Sequence, residues 1–144
     1  MAKYDFSDEC PLITYNEMCS IFDNKEFFEI VEFMEFASMV TLELSFKYDI
    51  YIVSIGTPIN LAYKEEWLKH HMGYIKDFIG VNLNDYNDKS HIDMSDGIII
   101  DDVQKNLVTS NAIEKICFGD ACEWNKCWKG ERSFNWIEIL NKLK

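Results

Sequence analysis

Proline and glycine are scarce in this chain: two and six residues out of 144. So few turn-formers argue against a linker-rich chain or a many-stranded β protein. No uncharged apolar run approaches the ~18 residues needed to span a bilayer, and no signal peptide is recognisable at the polar start, Met1-Ala2-Lys3-Tyr4-Asp5. Positive charge is also short. Fourteen Lys and Arg face 25 Asp and Glu, a net charge of −11. So acidic a surface repels a phosphate backbone and speaks against duplex nucleic acid, yet a local pocket with lysine or Mg²⁺ can still take a small phosphorylated ligand. Five cysteines, an odd number, fit reduced thiols better than a disulfide framework. The expectation is a soluble, cytoplasmic protein without membrane contact.

What is present is apolar material for one packed core: 48% hydrophobic and 15% aromatic residues over one domain's length, residues 1–144. Residues 1–14 read as an irregular lead-in. Thr14-Tyr15-Asn16-Glu17 fits a capping box for a short helix over residues 15–22. Asp23-Asn24 breaks the pattern. From Lys25 to Lys47 apolar residues surround Glu26, Glu29, Glu32 and Glu35, predicting one long amphipathic helix or two in sequence.

Residues 50–55, Ile-Tyr-Ile-Val-Ser-Ile, predict a strand buried on both faces, ended by Gly56-Thr57-Pro58. A helix over residues 60–72 follows, with Lys64, Glu65 and Lys69 turned outward. Further strands are predicted at 78–81, 97–102 and 112–118, a short helix or turn at 103–110, and a closing helix at 134–143. Residues 82–96 form a polar loop long enough to suspect function. Strands alternating with helices predict a parallel α/β sheet, which binds ligands at the carboxyl ends of its strands. Ser54 and the pair Asp101-Asp102 fall at such ends.

Two carboxylates after an apolar strand suit a hard cation such as Mg²⁺. A hydroxyl at a neighbouring strand end can donate to a phosphate oxygen, and Lys89 in the polar loop can neutralise phosphoryl charge. Taken singly, each residue has an ordinary explanation: a turn or cap for the acids, a strand end for Ser54, a solvated loop lysine for Lys89.

Taken together they resemble a family. The segment from Tyr48 to Ser54 is similar to the second motif of the haloacid-dehalogenase-like phosphatases. Residues 63–69, Tyr-Lys-Glu-Glu-Trp-Leu-Lys, resemble the helix that follows it in the 5'(3')-deoxyribonucleotidases. Asp88-Lys89-Ser90 resembles the third motif and residues 97–102, Gly-Ile-Ile-Ile-Asp-Asp, the fourth. Asn125, Arg132 and Trp136 fall in a segment similar to the family's closing helix. The resemblance covers roughly residues 20–144.

It implies a three-layer Rossmann-like fold, with a short, mostly parallel sheet of about four strands flanked by helices and the cap largely absent. It implies phosphate binding by Ser54 and Lys89, Mg²⁺ on Asp101 and Asp102, and secondary positions at Thr57, Lys64 and Asn106. The family's Asp-x-Asp-Gly motif, which carries the nucleophile, has no counterpart here. Asp5-Phe6-Ser7-Asp8 has the wrong spacing and no glycine. The family's Pro-Gly turn is replaced by residues 32–37, Glu-Phe-Met-Glu-Phe-Ala, so the helix is expected to run through.

The resemblance therefore implies a degenerate phosphatase fold, retained for ligand or protein binding as a regulator or inhibitor, of a kind met in phages and other mobile elements. The alternative is a Mg²⁺-dependent nucleotidase acting on deoxynucleoside monophosphates, with its nucleophile supplied by another segment or chain. Partners would be a nucleotide or phosphorylated small molecule, a protein, or a second copy. The strand that carries the missing motif lies mid-sheet in the family. Its neighbours are expected either to pair directly or to accept residues 10–15 or a strand from another chain.

Cys117, Cys122 and Cys127 lack the spacing and the fourth ligand of a zinc site. His70-His71 sits at a helix end, where a protonated His favours the dipole. His91 lies in the polar loop, and a ligand role is not expected for any of these histidines. The tail tryptophans Trp124, Trp128 and Trp136 are expected to pack in the core.

Overall fold

The computed structural model describes residues 12–144. Helix α1 (Tyr15–Phe22) starts at the capping box: Glu17 N–H donates to Thr14 Oγ1, and Thr14 N–H donates to the Glu17 carboxylate at 2.7 Å. Helix α2 (Lys25–Ile30) is capped by Asn24, whose Oδ1 accepts from Glu26 N–H at 2.9 Å. The chain then leaves the helix and re-enters it as α3 (Ala37–Ser45).

Of the two expectations for residues 25–47, two helices in sequence is the one that forms, and a helix running through residues 32–37 is corrected. The break is made without glycine or proline. Val31 is extended, and Phe36 takes the left-handed conformation at φ 62°. That conformation is costly for a residue with a Cβ.

Strand β1 (Tyr51–Gly56) leads into α4 (Pro58–His71), capped by Thr57 with Pro58 in the first turn, where a missing N–H costs nothing. Strand β2 (Asp77–Asn82) pairs with β1 in parallel, Ser54 opposite Gly80. The loop over residues 83–97 connects to β3 (Ile98–Asp101), followed by α5 (Gln104–Thr109), β4 (Glu114–Phe118), β5 (Glu131–Ser133) and α6 (Trp136–Leu143). Strands β3, β4 and β5 form a second parallel sheet in that order.

The fold is thus mixed α/β, with small parallel sheets flanked by helices. Among the described residues five strands stand where about four were expected, β5 being the addition, and they form two sheets rather than one.

Direct pairing across the missing strand does not occur. Among the described residues β1 has only β2 as a partner, and β3 only β4. Nor do residues 12–15 supply a strand: Leu12 and Ile13 form a bend, Thr14 is the cap, and Tyr15 is helical. Residues 1–11, including Cys10 and Asp5 to Asp8, lie outside the described residues.

The core sits mainly on the three-stranded side. Val40 and Leu44 of α3 meet Ile116 of β4 and Ile139 and Leu143 of α6, joined by Ile98, Ile100, Phe118 and Trp136. A second cluster joins Ile99, Leu107, Ala112 and Cys117. On the two-stranded side α4 packs on β1 and β2, and α1 and α2 join it through aromatic contacts. Phe22, Phe27, Phe28 and Tyr63 form a chain of rings, and Phe33 lies against Trp67.

Candidate functional site

The sequence at the end of β1 dictates a tight turn. Gly56 lies against Asn60, where an added Cβ would come within 2.4 Å of Asn60 Oδ1. This close approach lets Asn60, buried one turn into α4, donate through Nδ2 to the Phe22 carbonyl at 2.6 Å. The same turn places Thr57, which caps α4 by accepting from Asn60 N–H and donates its own hydroxyl to Asp23 Oδ1 at 2.5 Å. The end of α1 is thereby tied to the start of α4, and the Asp23 carboxylate is brought to the strand ends.

Lys64 is the main correction to the sequence reading. It does not point outward. Its Nζ donates to Ser54 Oγ at 2.8 Å and contacts the Ile55 carbonyl at 3.5 Å. Its pKa is lowered from 10.5 to about 8, by burial first and by the neighbouring Lys89 ammonium second, with Asp23 acting in the opposite sense. Ser54, Thr57, Lys64, Lys89 and Asp23 therefore share one electrostatic neighbourhood.

Lys89 also reaches across to the second sheet. Its Nζ forms an ion pair with Asp101 Oδ2 at 2.5 Å, with 14% and 4% of the two side chains exposed. Asp101 Oδ1 accepts from Val103 N–H at 2.8 Å, and Asn106 Nδ2 donates to both oxygens at 3.1 and 3.2 Å. A carboxylate has about four lone-pair sites, and these donors fill them. An ammonium thus occupies the position a cation would take at Asp101, and in this arrangement the carboxylate does not fit Mg²⁺. Among the described residues no cluster of three or more His, Cys, Asp or Glu could hold a metal ion.

Asp102 is half-buried, and its backbone carbonyl accepts from Asn125 Nδ2 at 2.9 Å. Asn125, 1% exposed, also receives Cys122 N–H, while Arg132 donates to the Gly119 and Asn125 carbonyls. The tail residues singled out in the sequence thus brace the loop behind the acidic pair. Asp88 shapes the Lys89 loop: its carboxylate accepts from Ser90, which holds its pKa below the usual carboxylate range.

The other candidates lie elsewhere. His71 stacks on Trp67 and His91 on Tyr86. Trp136 packs on Phe118 within the core, and Trp128 donates its indole N–H to the Glu131 carbonyl. Cys117 is buried in β4, and burial pushes its thiol pKa up. None of the described cysteines, Cys19, Cys117, Cys122 and Cys127, is in a disulfide. No helix of the described chain is long and apolar enough to cross a membrane.

Asp23 was missed as a site residue. Its signal was available, because an acid at a helix C-terminus opposes the macrodipole and calls for another partner.

No protein-family model matches the chain, and no curated protein matches it.

Proposed function

We propose that the protein binds a small phosphorylated ligand, a nucleotide by preference, at the joined carboxyl ends of β1, β2 and β3, and does not turn it over. One observation carries this reading: the half-buried Lys64 ammonium, held on Ser54 beside a second ammonium at Lys89. Lys89 is already paired with Asp101, so the desolvated Lys64 ammonium is the group a bound phosphate would chiefly relieve. Within a degenerate haloacid-dehalogenase-like fold of the 5'(3')-deoxyribonucleotidase type, Ser54 and Lys89 would hold the phosphate and Lys64 would add to it. Asp101 would keep Lys89 in place. The reading has no nucleophile, so no covalent phosphoenzyme forms.

The test is calorimetry with inorganic phosphate and with deoxynucleoside monophosphates, each with and without Mg²⁺. Binding is expected, weakened at least tenfold by Lys64→Met and weakening as pH rises above about 8, where Lys64 loses its proton. Heats indistinguishable from buffer dilution in all four mixtures would sink the reading. Dependence on Mg²⁺ would mean that Lys89 yields Asp101 to the metal.

A second reading is supported by the edges of β1 and β3 that have no partner strand among the described residues. There another segment or chain would add a parallel strand and complete a Mg²⁺-dependent nucleotidase. Steady phosphate release from deoxynucleoside monophosphates by the pure protein, abolished by Asp101→Asn, would favour this reading over the first.

A further inference from the structure

Helix α3 is apolar on two opposite sides. Ala37, Val40, Thr41 and Leu44 face the core and are buried. On the far side Met39, Leu42 and Phe46, at helical spacing, are 49%, 43% and 82% exposed. Phe36, immediately before the helix, is 47% exposed and sits in the left-handed conformation. A surface helix ordinarily turns polar residues to solvent, yet among the described residues Met39 and Leu42 of this one, with Phe46 at its end, face solvent alongside Glu43. A contiguous apolar stripe of this kind marks an interaction surface.

The stripe is close to self-complementary. Read from either end, positions 36, 39, 42 and 46 run Phe, aliphatic, aliphatic, Phe, with Met39 and Leu42 in the middle. Rotated by two-fold symmetry, Phe36 meets Phe46 of a second copy, and Met39 meets its Leu42. Exposed Glu35 at one end then lies near Lys47 at the other, whose Nζ also donates to the Leu143 carbonyl at 3.0 Å, while exposed Glu43 flanks the stripe. Ile30 and Met34, 78% and 62% exposed just before the stripe, enlarge the apolar surface. Six such side chains offer on the order of 700 Å², close to the ~800 Å² per partner of a standard interface.

We infer that α3 is the seat of a homodimer, two copies of this chain pairing antiparallel through Phe36, Met39, Leu42 and Phe46. The inference is independent of the ligand reading, since α3 contributes no residue to the strand-end site. The net charge of −11 per copy opposes association. The affinity expected is therefore on the order of 10 μM rather than nanomolar.

Sedimentation equilibrium of the full chain, spanning about two decades around that concentration, tests it. The wild type is expected to shift from monomer to dimer. Phe46→Asp is expected to weaken dimerisation at least tenfold, with an unchanged urea midpoint because the side chain lies outside the core. Phe36→Ala and Phe46→Ala should be non-additive, since the two rings contact each other across the axis. A chain still monomeric at ~100 μM would overturn the inference. So would a dimer indifferent to Phe46→Asp, or strictly additive losses in the double variant.

Discussion

The two sheets are built from similar sequence and end in different physical states. Both use short, β-branched parallel strands with polar residues at their carboxyl ends. In the three-stranded half, Ile99, Ile116, Cys117 and Asp101 are buried, and two apolar clusters close around them. In the two-stranded half, Tyr51 is exposed and Ile52, Val53 and Ile55 are only half-buried. A strand's apolarity states what it can bury. Whether it does so depends on neighbours on both edges, and β1 has only one among the described residues.

The same contrast holds for charge. Asp101 is met by Lys89, Asn106 and Val103, whereas Lys64 is desolvated with only a hydroxyl and a carbonyl in reach. The saturated group holds its half together, and the under-compensated one is where a ligand has most to offer.

The largest effect should come from the satisfied side. Asp101→Ala leaves Lys89 buried and unpaired and frees Val103 N–H and Asn106, so urea unfolding should record a loss of about 3–5 kcal/mol. Next, Ile99→Ala should cost about 2–5 kcal/mol by opening a cavity, while Ile52→Ala in β1 should cost only about 1. Equal losses at the two positions would show β1 to be covered in solution.

Lys64 should act in the opposite direction. Its folded pKa, about 8, lies below its ordinary 10.5, so between those values the unfolded chain binds more protons than the folded one. Stability should therefore rise as pH climbs through that window. The gain is bounded by roughly 3 kcal/mol at 1.36 kcal/mol per pH unit, and by about 2 after allowing for remaining solvent contact. Lys64→Met should remove the rise and stabilise the protein at pH 7 by a similar amount, as urea titrations from pH 7 to 10.5 would show. The smallest effect belongs to the edge of the two-stranded half: Thr14→Ala removes the capping box and should cost ~1 kcal/mol, seen as fraying of α1 in amide exchange.

Particular residues show how far the sequence could be read. Helix α1 begins where Thr14 and Glu17 place it, and α4, α5 and α6 lie within two residues of their predicted bounds, because caps and periodicity are local signals. Strand β5 escaped notice because three residues, Glu131, Arg132 and Ser133, carry no periodicity. The break before α3 escaped because Phe36 is the wrong residue type for its conformation, held by surroundings and not by propensity. At the site, Asp101 ends β3 as its position in an alternating α/β chain requires, whereas Ser54 lies two residues inside β1, Lys89 in the loop between β2 and β3, and Asn106 in α5. That Lys64 turns inward was not legible, since a lysine beside Glu65 on a helix has the pattern of a solvated face.

The sequence by itself determined the order of strands and helices, the placement of hydroxyl, lysine and acid at the carboxyl ends, and the absence of an Asp-x-Asp-Gly stretch. Those features depend on local spacing and residue type. Only the tertiary structure decided that the described strands divide into two sheets, that Lys89 fills the place beside Asp101, and that Lys64 carries an under-compensated charge. Edge pairing, burial and the balance of desolvation against nearby charge are set between residues far apart in the chain, where no local pattern records them.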